Sequence, residues 1–413
     1  MQYGLIGAKL GHSYSVPIHN RLGHYDYRLY EMDETALRDL LIRRDFKGLN
    51  ITIPYKRLAC EMCDELSDAA KAIGSDNTVV IRPDGRLYGH NTDIGGFIAL
   101  AEKAGVVIAG RKVAILGSGG TSLTAQYACR TLGARSVVVV SRGGPIDYEA
   151  LYRDHADIEV LVNTTPLGMY PKNGTCAVDI SRFPRLGGVL DVVYNPDKTA
   201  LILDAEARGL PCAGGLYMLV AQARESAELF IGQAIPPSRT DEIYAWLRDQ
   251  SLNVILIGMP GCGKSTVGRA LAARMNRPFI DCDEEVERRT DMSIPDIFAR
   301  QGESAFRSLE ARVIADVCAG KGAVIATGGG SVLSAANVRA MRQNGRILLL
   351  SRSLDQLSLE GRPLSKSRDA LESMWSDRGP KYLNTADCTI ENDASPDDVA
   401  ARAEEAFHEN IDR

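Results

Sequence analysis

The sequence predicts an α/β chain built on parallel sheets, and three features carry that prediction. Short apolar runs of strand length alternate with helical periodicities along the whole chain. Two glycine-rich turns, at Gly117 and Gly258, each stand between such a run and a helix. The 413 residues exceed one ordinary core, so two or three domains are expected.

Taken in order, residues 3–6, 27–31, 49–53 and 78–81 read as strands, with helices at 34–43 and 56–65 between them. A polar run from Gly89 to Gly96 leads into a helix at 97–104. A second alternation begins at Lys112. Strands at 113–116, 136–140, 159–163 and 188–193, with a helix at 123–132 after the first glycine turn, predict a doubly wound nucleotide-binding domain. An amphipathic helix at 215–231 and another at 240–249 follow. The short joint Asp249-Gln250-Ser251-Leu252 then tethers a third alternation closely. There, strands at 254–257, 277–283, 323–327, 346–350 and 388–390 and helices at 303–318, at 369–378 and from Pro396 predict a three-layer α/β/α sandwich.

Composition narrows the class. Hydrophobic residues make up 45% and charged residues 24%, as in soluble globular proteins. A formal net charge of −5 and a pI near 5.8 argue against nucleic acid as a partner, since phosphate backbones demand a basic face. No apolar run is long enough for a membrane span, and Met1-Gln2-Tyr3-Gly4 enters a strand with no signal-peptide pattern. The nine cysteines are scattered; the one close pair, Cys60-Glu61-Met62-Cys63, lacks the partners of a metal site and reads as one face of a helix. A reducing cytoplasm is the expected compartment.

The chemistry is densest in Gly258-Met259-Pro260-Gly261-Cys262-Gly263-Lys264-Ser265-Thr266, which matches G-x-x-x-x-G-K-[ST] at every fixed position. Backbone N–H groups of such a loop wrap phosphates at a helix N-terminus, the lysine reaches the outer phosphates, and the serine hydroxyl ligates Mg²⁺. Asp281 and Asp283, spaced as alternate residues of the next strand, are expected on one face. One would support the Mg²⁺ shell and the other orient an attacking hydroxyl. Arg307 and Arg378 can fork onto a carboxylate, and Gly328–Gly330 lets backbone amides approach a small ligand.

In the first part, Gly117-Ser118-Gly119-Gly120-Thr121-Ser122 predicts a dinucleotide site. The next strand ends in Ser141-Arg142 where an acid would hold the ribose of NAD, and an arginine suits the 2′-phosphate of NADP. Lys56, at a strand-to-helix turn, and Asp93, at a helix start, are the groups suited to proton transfer at a carbonyl or alcohol.

An ordered set of motifs makes residues 1–249 resemble the shikimate dehydrogenases. It comprises His12-Ser13-Tyr14-Ser15, Asn50-Ile51-Thr52-Ile53-Pro54-Tyr55-Lys56, Asn77-Thr78, Asn91-Thr92-Asp93, the Gly117 loop, Asn163-Thr164-Thr165-Pro166, Asp191-Val192-Val193-Tyr194 and Gly215 through Gln222. The resemblance implies that Ser13 and Ser15 hold a substrate carboxylate and that Thr52, Asn77, Tyr194 and Gln222 line the ring site. Lys56 and Asp93 would then be the catalytic pair, and Gly215 would join the NADP site. It also implies a discontinuous substrate-binding domain (1–95 and 215–249) around a Rossmann domain (96–214). Two departures stand out: Val16 precedes Pro17 where the family has proline directly after the second serine, and Gly143-Gly144-Pro145 follows Arg142 in place of a basic turn.

Residues 252–413 resemble the shikimate kinases through the Gly261–Thr266 run, Asp281 and Asp283, Phe306-Arg307, Gly328–Gly330, Gly361-Arg362-Pro363-Leu364 and Arg378 with Tyr382. The resemblance implies shikimate contacts from Asp283, Arg307, Gly329 and Arg378, and an ATP-reaching lid carrying Arg362, shortened here. The two resemblances together imply NADPH-dependent reduction of 3-dehydroshikimate to shikimate, then ATP- and Mg²⁺-dependent phosphorylation to shikimate 3-phosphate. The same residues accommodate a dehydrogenase that also takes quinate with either nicotinamide cofactor. In a different class, they accommodate a metabolite sensor with an inactive first half, against which the intact Lys56 and Asp93 argue.

Overall fold

A computed structural model describes residues 2–11, 13–357 and 368–409. Two compact units divide the chain, Met1–Tyr244 and Ala245–Arg413. The division falls inside a helix, so the expected joint at 249–252 is helical up to Ser251 rather than a linker.

The first unit holds two sheets. One is built from β1 (Tyr3–Gly7), α1 (Ser15–Leu22), β2 (Tyr27–Glu31), α2 (Glu34–Arg43), β3 (Gly48–Ile51), α3 (Lys56–Met62), β4 (Glu65–Leu66), α4 (Asp68–Ile73), β5 (Thr78–Ile81) and β6 (Leu87–His90). Its order is β2-β1-β3-β5-β6-β4, with β5 antiparallel to both β3 and β6. Helix α5 (Asp93–Lys103) leads to the second sheet: β7 (Lys112–Leu116), α6 (Gly120–Thr131), β8 (Ser136–Val140), α7 (Tyr148–Asp154), β9 (Val160–Asn163), β10 (Gly188–Asp191), α8 (Ala200–Ala207) and β11 (Cys212–Ala213). This sheet is parallel throughout, in the order β11-β10-β9-β7-β8. Its central strands are buried on both faces, which explains their continuous apolar sequence.

Helix α9 (Leu216–Ile231) returns to the first sheet. Phe230 fills the space over Gly48, and Tyr3 donates its hydroxyl to the Phe230 carbonyl at 3.2 Å. Helix α10 (Ser238–Ser251) follows. Helix α5 begins at Asp93, four residues earlier than the periodicity predicts, because Gly95 and Gly96 dilute the apolar signal. Packing explains the second of these glycines. A Cβ on Gly96 would lie 2.7 Å from the Met218 carbonyl oxygen and 3.0 Å from Gln222 Cβ, so α5 approaches α9 more closely than any side chain allows. Strands β4 and β11, two residues each, are too short to show a period and are absent from the sequence-based assignment.

The second unit comprises β12 (Asn253–Ile257), α11 (Lys264–Met275), β13 (Phe279–Asp281), α12 (Cys282–Thr290), α13 (Ile294–Ala319), β14 (Val324–Ala326), α14 (Ala335–Asn344), β15 (Gly345–Ser351), α15 (Arg368–Thr385), β16 (Cys388–Glu391) and α16 (Pro396–Glu409). Its five strands are parallel in the order β13-β14-β12-β15-β16. Arg277, expected in a strand, instead donates to the carbonyls of Leu252, at 2.9 Å, and Asp249 while its guanidinium lies over the Phe407 ring. Helix α13 starts nine residues before the predicted 303 and is broken at Gly302, whose φ of 80° is not helical. No helix among the described residues is long and apolar enough to cross a membrane.

The Cys60–Cys63 spacing does not form a helix face, since α3 ends at Met62 and Cys63 turns extended. Cys63 Sγ donates instead to Oδ2 of Asp76 at 3.4 Å. Asp76 is fully buried and its Oδ1 has no hydrogen-bond partner among the described residues. Burial pushes its carboxyl up to about 8, against the opposing pull of the Cys63 bond and the Lys56 charge.

Two outcomes follow from this packing. Gly96→Ala should cost about 1–3 kcal/mol in urea unfolding, the range for overpacking; an unchanged midpoint would mean that α5 and α9 can separate freely. For Asp76, the native state keeps a proton that the unfolded chain loses near pH 4, so its contribution to stability falls as pH rises from about 4 to 8. The melting temperature of Asp76→Asn, relative to the parent, should therefore rise between pH 5 and pH 8. A difference that stays flat over that range would show Asp76 ionised in the native state.

Candidate active sites

In the first unit the site grows from the starts of two helices. Lys56 opens α3 and Asp93 opens α5, and Lys56 Nζ meets Asp93 Oδ2 at 2.6 Å. Asn77, ahead of β5, donates from Nδ2 to Asp93 Oδ1 and to Thr92 Oγ1, both at 3.0 Å. Its Oδ1 accepts the Thr92 N–H at 2.8 Å. The Thr92 hydroxyl reaches Gln222 Oε1 at 3.3 Å, tying α9 to the same network. Beneath it, Asn50 Nδ2 donates to Thr78 Oγ1 at 3.0 Å and to Ser226 Oγ at 2.8 Å, while its Oδ1 accepts the Tyr27 hydroxyl at 2.7 Å. The His19 ring stacks on Tyr27 with centroids 3.8 Å apart, and burial lowers it to about 3, so it stays neutral.

A cavity of about 260 Å³ opens over this network. It is lined by Ser13, Ser15, Thr52, Lys56, Asn77, Asp93, Tyr194 and Gln222, together with Lys9, Leu10 and Leu219, which the sequence reading did not single out. The Ser13 hydroxyl donates to Ser15 Oγ at 3.1 Å and accepts the Ser15 N–H at the same distance, placing two hydroxyls side by side. His12 lies outside the described residues. Tyr194 is set by the end of β10: Asp191, fully buried, accepts from Asn163 Nδ2 at 2.9 Å, the Thr199 hydroxyl at 2.7 Å and the Val193 N–H at 3.0 Å.

A larger cleft of about 790 Å³ shares Thr52, Lys56, Asp93, Tyr194 and Gln222 with that cavity and continues past Gly215 to Ser118–Thr121. The two spaces meet at the Lys56–Asp93 pair. Gly117 has φ of +107°, and a Cβ there would lie 2.8 Å from Thr164 Oγ1, so this turn needs glycine. Gly119 and Gly120 carry nothing into the cleft: a Cβ on either would meet no atom within 4 Å. Gly119 caps α6 without a side-chain bond, and the first turn holds no acid. Bare backbone at an uncapped helix start fits a dinucleotide phosphate. Ser122 does not reach the cleft. It is fully buried, with its N–H bonded to the Gly119 carbonyl and its hydroxyl bonded to Gln126, and Leu123 and Thr124 line the cleft instead. Ser141 and Arg142 stand beyond β8, off the cleft lining; Arg142 is exposed and makes no hydrogen bond or ion pair among the described residues.

In the second unit the loop between β12 and α11 turns through Gly258, Gly261 and Gly263, all at positive φ. Lys264 is folded back over it, with Nζ 2.9 Å from the Gly258 carbonyl and 3.0 Å from that of Met259. Asn392, at the end of β16, donates to the Cys262 carbonyl at 2.7 Å and fixes the loop from the other side. The Ser265 hydroxyl donates to Asp281 Oδ2 at 2.6 Å. Asp281 and Asp283 do not share a strand face. Asp281 ends β13 and caps α12, its Oδ1 accepting the Asp283 N–H at 3.0 Å, and Asp283 sits in the first helical turn. Both still face one cavity of about 490 Å³, because the cap turns the chain there.

That cavity also collects Gly261, Gly263, Lys264, Ser265, Thr266, Arg307, Gly329 and Arg378. Cys262 is buried in the core cluster and does not line it. Arg362 lies outside the described residues. Arg307 is held by Glu310 at 2.9 Å and Glu303 at 3.1 Å, and Glu310 is itself buried and accepts the Ser331 hydroxyl at 2.9 Å. Arg378, at 3.2 Å, and the Tyr382 hydroxyl both donate to the Gly329 carbonyl. A Cβ on Gly330 would fall 2.3 Å from the Arg307 guanidinium, so the glycine run makes room for that side chain as well as for a ligand. The sequence reading missed Glu310 and Arg352; the i, i+3 spacing of Arg307 and Glu310 was the available signal for the first. No cluster of three or more His, Cys, Asp or Glu suited to a metal ion occurs among the described residues. The hydroxyl–carboxylate pair Ser265–Asp281 fits a hard, oxygen-seeking cation that keeps most of its water.

Comparison with known proteins gives the same division. A family model described as the shikimate dehydrogenase substrate binding domain matches residues 5–79, and one described as shikimate kinase matches residues 260–408. The shikimate dehydrogenase (NADP(+)) of Clostridium perfringens (strain 13 / Type A) is 35% identical over 266 residues, covering 60% of this chain and 98% of that protein. The shikimate kinase of Pseudomonas syringae pv. syringae (strain B728a) is 42% identical over 152 residues, covering 35% of this chain and 88% of that protein. Among solved structures, shikimate 5-dehydrogenase from Thermus thermophilus in complex with NADP(H) and shikimate superposes with a TM-score of 0.53 at 28% identity, over 59% of this chain and 98% of that one. With nearly the full length of one relative matched by its first part and most of another by its second, the chain belongs to the shikimate dehydrogenase family and to the shikimate kinase family at once.

Proposed function

We propose that the chain carries two successive activities on one small acid. The first unit reduces 3-dehydroshikimate to shikimate with NADPH, and the second phosphorylates shikimate to shikimate 3-phosphate with ATP and Mg²⁺. The observation that carries the reading is the meeting of two cavities at Lys56 and Asp93, 2.6 Å apart. When bound, NADPH supplies the hydride and ATP the phosphoryl group. Lys56 as an ammonium donates a proton to the carbonyl oxygen as it becomes a hydroxyl, and Asp93 holds the lysine in place. Ser13 and Ser15 bind the substrate carboxylate through paired hydroxyls, and Thr52, Asn77, Tyr194 and Gln222 hold the ring. This reading takes 1–95 with 215–249 as the substrate-binding part, 96–214 as the NADP-binding part and 252–413 as the kinase.

In the kinase, Arg307 and Arg378 hold the shikimate carboxylate, Gly329 lets the ring approach the backbone, and Asp283 orients the attacking hydroxyl. Lys264 and the N–H groups of Gly261–Thr266 hold the phosphates, and Ser265 and Asp281 would hold Mg²⁺.

The direct test supplies the whole chain with 3-dehydroshikimate, NADPH and ATP. Lys56→Ala should abolish NADPH oxidation and leave phosphorylation of added shikimate within about twofold, whereas Asp283→Asn should do the reverse; the two sites lie in separate units. Loss of both activities in a folded single variant would sink the assignment of independent sites. Quinate in place of shikimate, with NADP⁺ and NAD⁺ in turn, measures the breadth of the first site. For the 2′-phosphate, Arg142→Ala should weaken NADPH by about 1.5–3 kcal/mol, as for a hydrogen bond to a charged group, and leave NADH unchanged. An unchanged KM for NADPH would make Arg142 a solvated strand end.

A further inference from the structure

Arg57 stands one residue beyond Lys56, in the first turn of α3, and lines the large cleft. Pro54, Ile73 and Ser75 line the same cleft, as do Ser118–Thr121. Lys56 and Arg57 are the two cations of that lining; Lys56 is committed to Asp93, and Arg57 makes no hydrogen bond or ion pair among the described residues. Some exposed arginines of this unit are paired, as Arg38 is with Glu34, Arg44 with Asp64 and Arg135 with Glu159, and Arg142 is not; Arg57 is the unpaired arginine that lines the cleft. A cation in a first helical turn also opposes the helix dipole, and α3 has no acid there to offset it. In the same lining, α6 presents an uncapped positive end and two glycines with no side chain. The cleft lining thus holds an unpaired cation and an uncapped helix start, and Asp93, its one carboxylate, is paired with Lys56.

From this shared lining we infer that Arg57 binds a phosphate of the dinucleotide together with the glycine loop, so that the cofactor is held by residues of both sheets of the first unit. This rests on the dehydrogenase reading above. It also supplies a cation that the Gly143-Gly144-Pro145 turn after Arg142 does not.

Equilibrium binding of NADPH and of NADH to the full chain, by calorimetry at two salt concentrations, tests the inference. Arg57→Ala should weaken binding roughly ten- to a hundredfold and flatten its salt dependence, with Arg57→Lys recovering part of the loss. Equal loss for both cofactors places Arg57 on the pyrophosphate; loss confined to NADPH places it on the 2′-phosphate. The melting temperature and the kinase rate of the same variant report that the chain is folded. If the parent chain binds neither cofactor, the dehydrogenase reading fails. If the parent binds and Arg57→Ala binds within twofold at both salt concentrations, the role of Arg57 alone is overturned.

Discussion

Helix starts left without side-chain caps are the constraint around which both units are built. Helices α2, α4, α7, α8, α12, α13 and α14 begin with an Asp, Ser or Thr side chain accepting a backbone N–H. Helices α3, α5, α6, α9 and α11 do not, and each starts among the residues that line a cavity. A missing cap costs about 0.5–2 kcal/mol per helix. The same unpaired N–H groups make a positive field at the cavity walls, which suits the anionic ligands both families handle. Two capped helices also start at the second cavity: α13, capped by Ser293 with Ile294 and Pro295 in the lining, and α12, whose Asp281 caps the helix with one oxygen and meets Ser265 with the other.

Within that field the Lys56–Asp93 pair needs a precise support, because neither residue is fixed by its own helix alone. Asn77 joins them to β5, Thr92 and Gln222 join them to α9, and the Asn50–Ser226 bond holds α9 to the first sheet. The close approach of α5 and α9 at Gly96 is therefore part of the chemistry. It sets where Asp93, three residues earlier, and Gln222 stand relative to each other.

This arrangement explains what the sequence could and could not tell. The phosphate loop, the Gly117 turn, Lys56 and Asp93 were legible from residue type and spacing, whereas Ser13, Ser15, Thr52, Asn77, Tyr194 and Gln222 were singled out only through the family resemblance; the structure brings all eight ring-cavity residues to one lining. Asp281 and Asp283 were expected together on one strand face; they do line one cavity, but the capping turn and not a strand pleat brings them together. Ser122 and Cys262 belong to their motifs by position, yet helix phase buries one and the core cluster of the second unit takes in the other. Arg57 and Glu310 carry no motif of their own; their significance comes from what shares a cleft lining with them or lies along a helix, which only the folded chain supplies. The two-residue strands escaped for want of any period to detect.

Three buried carboxyls show how such supports differ in kind. Glu310 faces a guanidinium and a hydroxyl, so its charge is matched. Asp191 has three neutral donors, and burial pushes it up to about 6, with the Val193, Thr199 and Asn163 bonds holding it back. Asp76 has a single thiol donor, and burial pushes it up to about 8. Fewer and weaker donors leave more of the desolvation cost uncompensated, and the proton is kept to higher pH. Each of the three lies within three residues of a side chain that lines a cavity: Arg307, Tyr194 and Asn77. A buried acid behind a ligand-facing residue fixes the backbone on which that residue stands. Where the acid is poorly satisfied, as at Asp76, its contribution to stability falls as pH rises from about 4 to 8, and that loss sits directly beneath the site.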